Sequence, residues 1–195
     1  WEKVSAEIPI LTSVTGNLYA GLGTTLTLAG SKFLTSNLVV NFLQTSDNIN
    51  EDVTVTPTSD SAASVTVPSG VYSNLTAGNV VTIKVTNSDG GASGNVTKTS
   101  LGLPTGGTVT TVNGYRVHQI NSTSNFVIPT GVSLTADYVV VAGGGGGSGW
   151  GGGGGAGGVI EVTSQAMTAG TYQAVIGGGG NKGTSGYTAG TSGGT

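Results

Sequence analysis

A stretch of almost pure glycine limits most strongly what this chain can fold into. Residues 143–158 contain thirteen glycines in sixteen positions, and glycine loses more conformational freedom on folding than any other residue. Apolar segments at residues 138–141 and 159–162 border the stretch on both sides. A disordered linker would leave both apolar segments unused, so we expect an ordered element.

Glycine at every third position would suit such an element. Polyglycine can form an extended helix with three residues per turn, and helices without side chains can pack closely and bond through their backbones. Glycine occupies every third position from residue 143 to residue 158. A second stretch keeps the period and then slips by one residue: Gly177, Gly180, Gly183 and Gly186, followed by Gly190 and Gly193. Collagen is disfavoured because no proline follows Pro129.

The rest of the chain predicts an all-β protein. Thr, Ser, Val and Gly dominate, and no amphipathic helical pattern is present. Five short segments alternate apolar and polar residues, as in Thr24–Leu28 and Val81–Thr86, and residues 8–14 and 94–101 raise the number of predicted strands to about seven. Their number and spacing indicate an immunoglobulin-like β-sandwich, followed by a β-hairpin scaffold with glycine-rich, polyglycine II-type helices.

A linker at residues 101–107 separates two predicted domains, 1–103 and 104–195. Asn113-Gly114 between alternating segments predicts a hairpin with a type I′ turn. A short strand at residues 125–129 is expected to end at Pro129. Three further strand candidates are residues 137–142, 158–163 and 171–176.

The first domain resembles the IPT/TIG family of immunoglobulin-like domains. The resemblance rests on IPILTSV at residues 8–14, GTTLTLAGSKF at 23–33, VTVP at 65–68 and NSDGGAS at 87–93. Such domains occur in bacterial surface proteins, phage virion proteins, receptors and transcription factors. The basic loops of the DNA-binding relatives are absent here.

The second domain resembles the glycine-rich domain of phage tail fibres and tail-tip adhesins. Its motifs follow one order: GYRVH at residues 114–118, FVIPTGV at 126–132, the glycine-bordered segments 138–147 and 151–159, and AGTYQAVIGGGG at 169–180. The resemblance implies a layered bundle of polyglycine II helices whose variable loops contact bacterial receptors. Relatives continue with further glycine runs, so the domain is expected to be incomplete at its C-terminal end. The preceding sandwich suggests a modular fibre or decoration protein.

Little in the sequence points to catalysis, cofactors or metals. The net charge of −3 disfavours nucleic acid as a partner, and the absence of cysteine excludes thiolate sites. His118, the single histidine, is read as a structural strand residue. Asp47, Glu51 and Asp52 lack the spacing of a calcium loop and are read as a solvated loop. We therefore expect a non-enzyme without a catalytic, cofactor-binding or metal site.

Four residues are candidates for contact with a receptor or with another chain. Trp150 stands among glycines, where it either packs inside or is exposed for contact, and the packing or chain–chain role is favoured. Asn181, Lys182 and Tyr187 lie in the second glycine stretch and are candidates for the same two kinds of contact.

These observations predict a phage virion protein for structure and adhesion: a tail fibre, a tail-tip adhesin or a capsid-attached fibre, located in the virion outside cells. Its partners would be other virion proteins and a host-surface glycan or outer-membrane protein. A bacterial secreted or cell-surface adhesion or filament protein is the alternative. A third hypothesis is a glycan-processing enzyme carried on a fibre, which predicts that polysaccharide chains become shorter on incubation with the protein. A single chain and a homo-oligomer, in particular a trimer, both stay open, with the oligomer slightly favoured.

Overall fold

The computed structural model describes residues 5–184 and 188–194. The chain divides into two compact units, Trp1–Leu103 and Pro104–Thr195. Regular structure is almost entirely β, as the composition predicts, with one four-residue helix in the described residues. None of the helical structure described is long and apolar enough to cross a membrane.

Each of the seven segments predicted as strands in the first unit forms one. The elements are β1 (Ile10–Thr15), β2 (Thr25–Ser31), β3 (Leu38–Gln44), β4 (Ile49–Val55), β5 (Ala62–Thr66), α1 (Ser69–Tyr72), β6 (Val80–Asn87) and β7 (Val96–Thr99). They make a three-stranded sheet with the order β1-β2-β5 and a four-stranded sheet with the order β4-β3-β6-β7. All of these pairings are antiparallel.

Alternating residues of both sheets form one hydrophobic core. In β3, Leu38, Val40 and Phe42 have no exposed surface, whereas Leu43 is 41% exposed. The buried apolar residues of β2, β5 and β6 belong to the same cluster. Side chains on a strand alternate between faces, so a period of two in the sequence places every second residue in this core.

The second unit is built from two antiparallel ribbons. The first pairs β8 (Thr108–Val112) with β9 (Tyr115–Gln119). Asn113 and Gly114 between these strands have φ values of 50° and 82°, as a type I′ turn requires. The second ribbon pairs β10 (Ser124–Val141) with β11 (Val159–Ala174).

The long ribbon corrects the predicted strand boundaries. Pro129 does not end a strand, because β10 continues through it and joins two predicted segments, and β11 joins two others. The register between the strands shifts between Ile128 and Ser133, which includes the proline. A proline has no N–H to donate, and a two-stranded ribbon has a free edge on each strand where this is tolerated.

Very few side chains of the second unit are buried. Among its described residues, the buried apolar side chains are those of Ile128, Val132 and Pro104. The ring of His118 contacts the ring of Phe126 edge-on, with centroids 5.0 Å apart. Backbone bonding must therefore contribute more to this unit than apolar burial does.

Candidate binding site at the tip of a glycine-rich bundle

Four glycine-rich runs extend from the long ribbon. The first and second runs, residues 142–149 and 152–158, form the connection from β10 to β11. The third and fourth runs, residues 177–184 and 188–194, follow β11. We call the four runs together the glycine bundle.

Backbone hydrogen bonds join the runs laterally. The first run bonds to each of the other three, and the third run bonds to the fourth. The bonds include Gly145 N–H to Gly155 O at 2.9 Å, Gly180 N–H to Gly144 O at 2.7 Å, Gly146 N–H to Thr191 O at 2.9 Å and Gly194 N–H to Gly178 O at 2.7 Å. Amides of the first, third and fourth runs thus donate to carbonyls of neighbouring runs, which a disordered linker would not achieve.

Between each pair of runs that bond to each other, the hydrogen bonds recur every third residue. Between the first and second runs, the N–H groups of Ala142, Gly145 and Ser148 bond to the carbonyls of Gly158, Gly155 and Gly152. The same spacing of three residues joins the first run to the third and to the fourth. A β-ladder repeats every two residues, so the bundle has a different repeat from the ribbon it extends.

Glycine is required where the runs approach one another most closely. An added Cβ would overlap backbone of a neighbouring run at positions three residues apart: Gly143 and Gly146, Gly154 and Gly157, Gly177, Gly180 and Gly183, and Gly190 and Gly193. Gly147, next to the turn, meets the carbonyl oxygen of Gly152 outside this period. The third and fourth runs keep the register seen in the sequence.

The register of the second run differs from the sequence-based expectation. Gly155 and Gly158, which continue the period from Gly143, face open space, whereas Gly154 and Gly157 face the first run. The chain reverses between the two runs, so the period restarts after the turn.

A tight turn at the end of the bundle presents Trp150. Ser148 N–H donates to Gly152 O at 2.9 Å, and Gly152 N–H donates to Ser148 Oγ at 3.0 Å. Gly151 has a φ of 95°, which favours glycine. The Trp150 side chain is 77% exposed. The side chain of Ser148, one of three residues in the stretch that are not glycine, therefore closes this turn.

The structure brings Lys182 to the same end of the bundle as Trp150. Gly149, before Trp150, donates its N–H to Thr188 O at 3.3 Å. Gly183, after Lys182, lies against the same carbonyl. The tip surface, defined as residues 148–152 with Lys182, Thr184 and Thr188, is therefore formed by the turn after the first run, the end of the third run and the start of the fourth.

Asn181 lies one layer below the tip surface. Its backbone N–H donates to Thr191 Oγ1 at 2.8 Å, and its carbonyl accepts the Thr191 N–H at 2.9 Å. Asn181 and Lys182 are exposed. Tyr187, the fourth candidate contact residue, lies outside the described residues. Their roles in contact remain predictions.

His118 has the contacts of a structural residue. Its Nδ1 lies 2.8 Å from the carbonyl oxygen of Gly106, and its ring packs on Phe126. Its buried Nε2 has no hydrogen-bond partner within the described structure.

Asp47 lies in the turn between β3 and β4, where it is only partly buried and is held by hydrogen bonds. It accepts hydrogen bonds from Thr76 N–H at 2.8 Å, Thr76 Oγ1 at 2.9 Å and Asn79 Nδ2 at 2.9 Å. The Thr76 backbone bond, followed by the Asn79 bond, holds the pKa of Asp47 below its ordinary value. Glu51 and Asp52 lie in β4 and not in a loop. No group of three or more metal-ligating side chains occurs among residues 5–184 and 188–194.

Comparison with known proteins identifies one part of the chain. Residues 118–195 match a family model described as a glycine-rich domain. No curated protein and no solved structure is significantly similar to the chain. The matched region contains β10, β11 and the whole glycine bundle.

Proposed function

We propose that the chain is a phage virion protein in which an immunoglobulin-like domain carries a rigid glycine-rich adhesive tip. Its function is structural display and binding without turnover. The tip surface contacts a glycan or an outer-membrane protein of the host cell, and other virion proteins hold the chain in the particle.

The immunoglobulin-like part of the proposal is supported by the arrangement of the first unit. Seven antiparallel strands in sheets of three and four share one core, which is the strand count of a constant-type immunoglobulin sandwich. The IPT/TIG assignment rests in addition on the motifs at residues 8–14, 23–33, 65–68 and 87–93.

The polyglycine II part of the proposal is supported by the repeat of the glycine bundle. Lateral backbone bonds and close approaches both recur every third residue, which matches the three residues per turn of an extended helix. The match of residues 118–195 to the glycine-rich family agrees with this interpretation.

One observation carries the adhesive function: a laterally bonded bundle ends in a turn that exposes Trp150. An aromatic side chain offers a large contact area with little rotamer entropy to lose, and Trp is enriched at binding hot spots. Backbone bonds on either side of Trp150 hold the turn that carries it at the end of the bundle. The virion location rests on the resemblance of the domain order to phage fibres.

The binding role can be tested with Trp150→Ala. We expect the purified chain to bind cells of its host and the variant to bind at least about tenfold more weakly, as for a hot-spot residue. Tyr115→Ala is the matched control, because Tyr115 is 72% exposed in the same unit but lies in the β8–β9 hairpin. Equal loss in both variants, or none in either, would contradict a role for the tip.

The virion location needs a separate measurement. Mass spectrometry of purified particles should detect the chain at stoichiometric amounts. Detection in the bacterial surface fraction, with absence from particles, would favour the bacterial adhesion alternative.

A further inference from the structure

The glycine bundle has a single charged side chain, and that side chain belongs to the tip surface. No Asp, Glu, Lys or Arg other than Lys182 occurs in the four runs or in the turns that connect them. Lys182 is exposed. The residue after it, Gly183, packs against Gly149, which precedes Trp150 in the chain. An ammonium group and an indole ring are therefore presented at the same end of the bundle.

No side-chain carboxylate of the second unit is close enough to neutralise Lys182. The unit contains two, Asp137 and Glu161, and both lie in the long ribbon. Seven residues of extended chain separate Val141, at the end of β10, from Ser148 in the tip surface, which is roughly 20 Å at about 3 Å per residue. The Debye length at physiological ionic strength is about 8 Å. The tip surface is thus locally positive, although the two positive and two negative side chains of the unit sum to zero.

The amides of the tip turn are engaged within the protein. Gly149 N–H donates to Thr188 O at 3.3 Å, and Gly151 N–H donates to Ser148 O at 3.4 Å. A backbone nest binds an anion through N–H groups that converge on it. Recognition of negative charge at the tip surface therefore falls to the ammonium group of Lys182.

The uncharged groups of the tip surface suit a sugar better than a protein. Trp150 supplies one broad apolar surface, and Thr184 and Thr188 supply hydroxyl groups. A stable protein interface buries about 800 Å² on each partner, and its hot spots are surrounded by further contacts that exclude water. A Trp side chain provides at most about 250 Å², and the residues beside Trp150 in the turn are glycines. A sugar ring has an apolar C–H face that covers an indole, and it has hydroxyl groups of its own for the threonines.

We infer that the tip surface binds an acidic saccharide, with a sugar ring on Trp150 and the phosphate or carboxylate of the sugar on Lys182. The inference rests on the adhesive function proposed above and names its ligand as a glycan rather than an outer-membrane protein. An ion pair between exposed groups changes affinity only about two- to fivefold, so the indole carries most of the binding and Lys182 sets the preference for acidic sugars.

Titration of the full chain with matched saccharides, followed through the chemical shifts of its backbone amides, tests the ligand. The pairs are mannose 6-phosphate with mannose, and trigalacturonate with its methyl ester. We expect the acidic member of at least one pair to shift amides of the tip surface and to bind about two- to fivefold more tightly than the neutral member. Raising the ionic strength should remove the difference. The two pairs distinguish phosphate from carboxylate as the source of the charge.

Substitutions assign the preference to Lys182. Lys182→Gln should abolish it, Lys182→Arg should keep it because the positive charge remains, and Trp150→Ala should weaken both members of a pair. Arg116→Gln is the matched control, since Arg116 is the other Lys or Arg of the unit and is exposed in β9. It removes the same charge and should leave the preference unchanged. Equal affinity within both pairs, or an equal loss of preference in Lys182→Gln and Arg116→Gln, would overturn the inference.

Binding to host cells separates this inference from the function on which it rests. If Trp150→Ala weakens cell binding and Lys182→Gln does not, the tip is adhesive and the acidic ligand is wrong. If neither substitution changes cell binding while the acidic saccharides still bind the tip surface, the adhesive function fails and the saccharide site stands. Cell binding that survives enzymatic removal of surface glycans but is lost after protease treatment would indicate an outer-membrane protein and overturn the glycan ligand.

Discussion

At the scale of the residue, the glycines of the bundle fall into two kinds. Some face a neighbouring backbone so closely that no side chain fits, and others face open space. Composition does not separate the two kinds, since all are glycines in glycine-rich surroundings. The period of three distinguishes the closely packed glycines from the open ones only when the residue at which each run begins is known.

This distinction predicts opposite effects for two alanine substitutions. Gly146→Ala places a Cβ against the carbonyl of Asn181 and should lower the free energy of unfolding of the second unit by about 3 kcal/mol or more, because the backbone must move. Gly178→Ala meets nothing within 4 Å and should be neutral or stabilising by up to about 1 kcal/mol, because alanine restricts the unfolded chain. Hydrogen exchange of the glycine amides measures both effects, and equal protection in the two variants would contradict the close approach.

At the scale of the element, single polar side chains hold the loops of the first unit to one another. Asp47, in the turn between β3 and β4, binds Thr76 and Asn79 ahead of β6. Asp89 accepts hydrogen bonds from Glu7 N–H at 2.7 Å and Gly91 N–H at 3.0 Å. Thr76 and Asn79 lie about thirty residues after Asp47 in the sequence, so no local pattern predicts these hydrogen bonds.

The Asp47 contact predicts a pH-dependent difference between the wild type and Asp47→Asn. Hydrogen bonds lower the pKa of the folded carboxylate, so its stabilising effect is present above the ordinary pKa of about 3.9 and is lost as pH falls through the folded value. The wild type should be the more stable protein at pH 7, and the difference should shrink below about pH 4. Urea unfolding between pH 7 and pH values below 4 measures the difference in the free energy of unfolding. A difference that does not change with pH would show that the contact does not depend on the charge of Asp47.

At the scale of the whole molecule, the two units are stabilised by different interactions. The first has an apolar core formed by both sheets. The second buries Ile128, Val132 and Pro104 among its described apolar residues and relies on backbone bonds between glycine runs. Burial of apolar surface and burial of peptide groups change the heat capacity in opposite directions.

Calorimetry should therefore give a small heat-capacity increment on unfolding. An average protein of 195 residues gives about 2.5 kcal/mol/K, and we expect this chain to fall clearly below that value. The measurement integrates over both units and does not require a two-state transition. An increment at or above the average would mean that the second unit buries more apolar surface than the single chain shows.

Local repeats in the sequence were sufficient to predict where strands form and that the glycine runs are ordered and hydrogen-bonded to one another. Alternation between Thr and Val or Leu marks a strand with one buried face, and the pattern needs no knowledge of the partner strand. Asn113-Gly114 marked its hairpin for an equally local reason, since few other residue pairs accept two positive φ angles.

Long-range pairing settled the rest. The continuation of β10 through Pro129, the new register at Gly154 and Gly157, the position of Trp150 at the tip and the partners of Asp47 all depend on which segments meet in space. A repeat along the chain predicts the spacing of the residues that contact a neighbouring segment. The turn that reverses the chain determines which residues these are, because a shift of one residue in register moves every contact to another face.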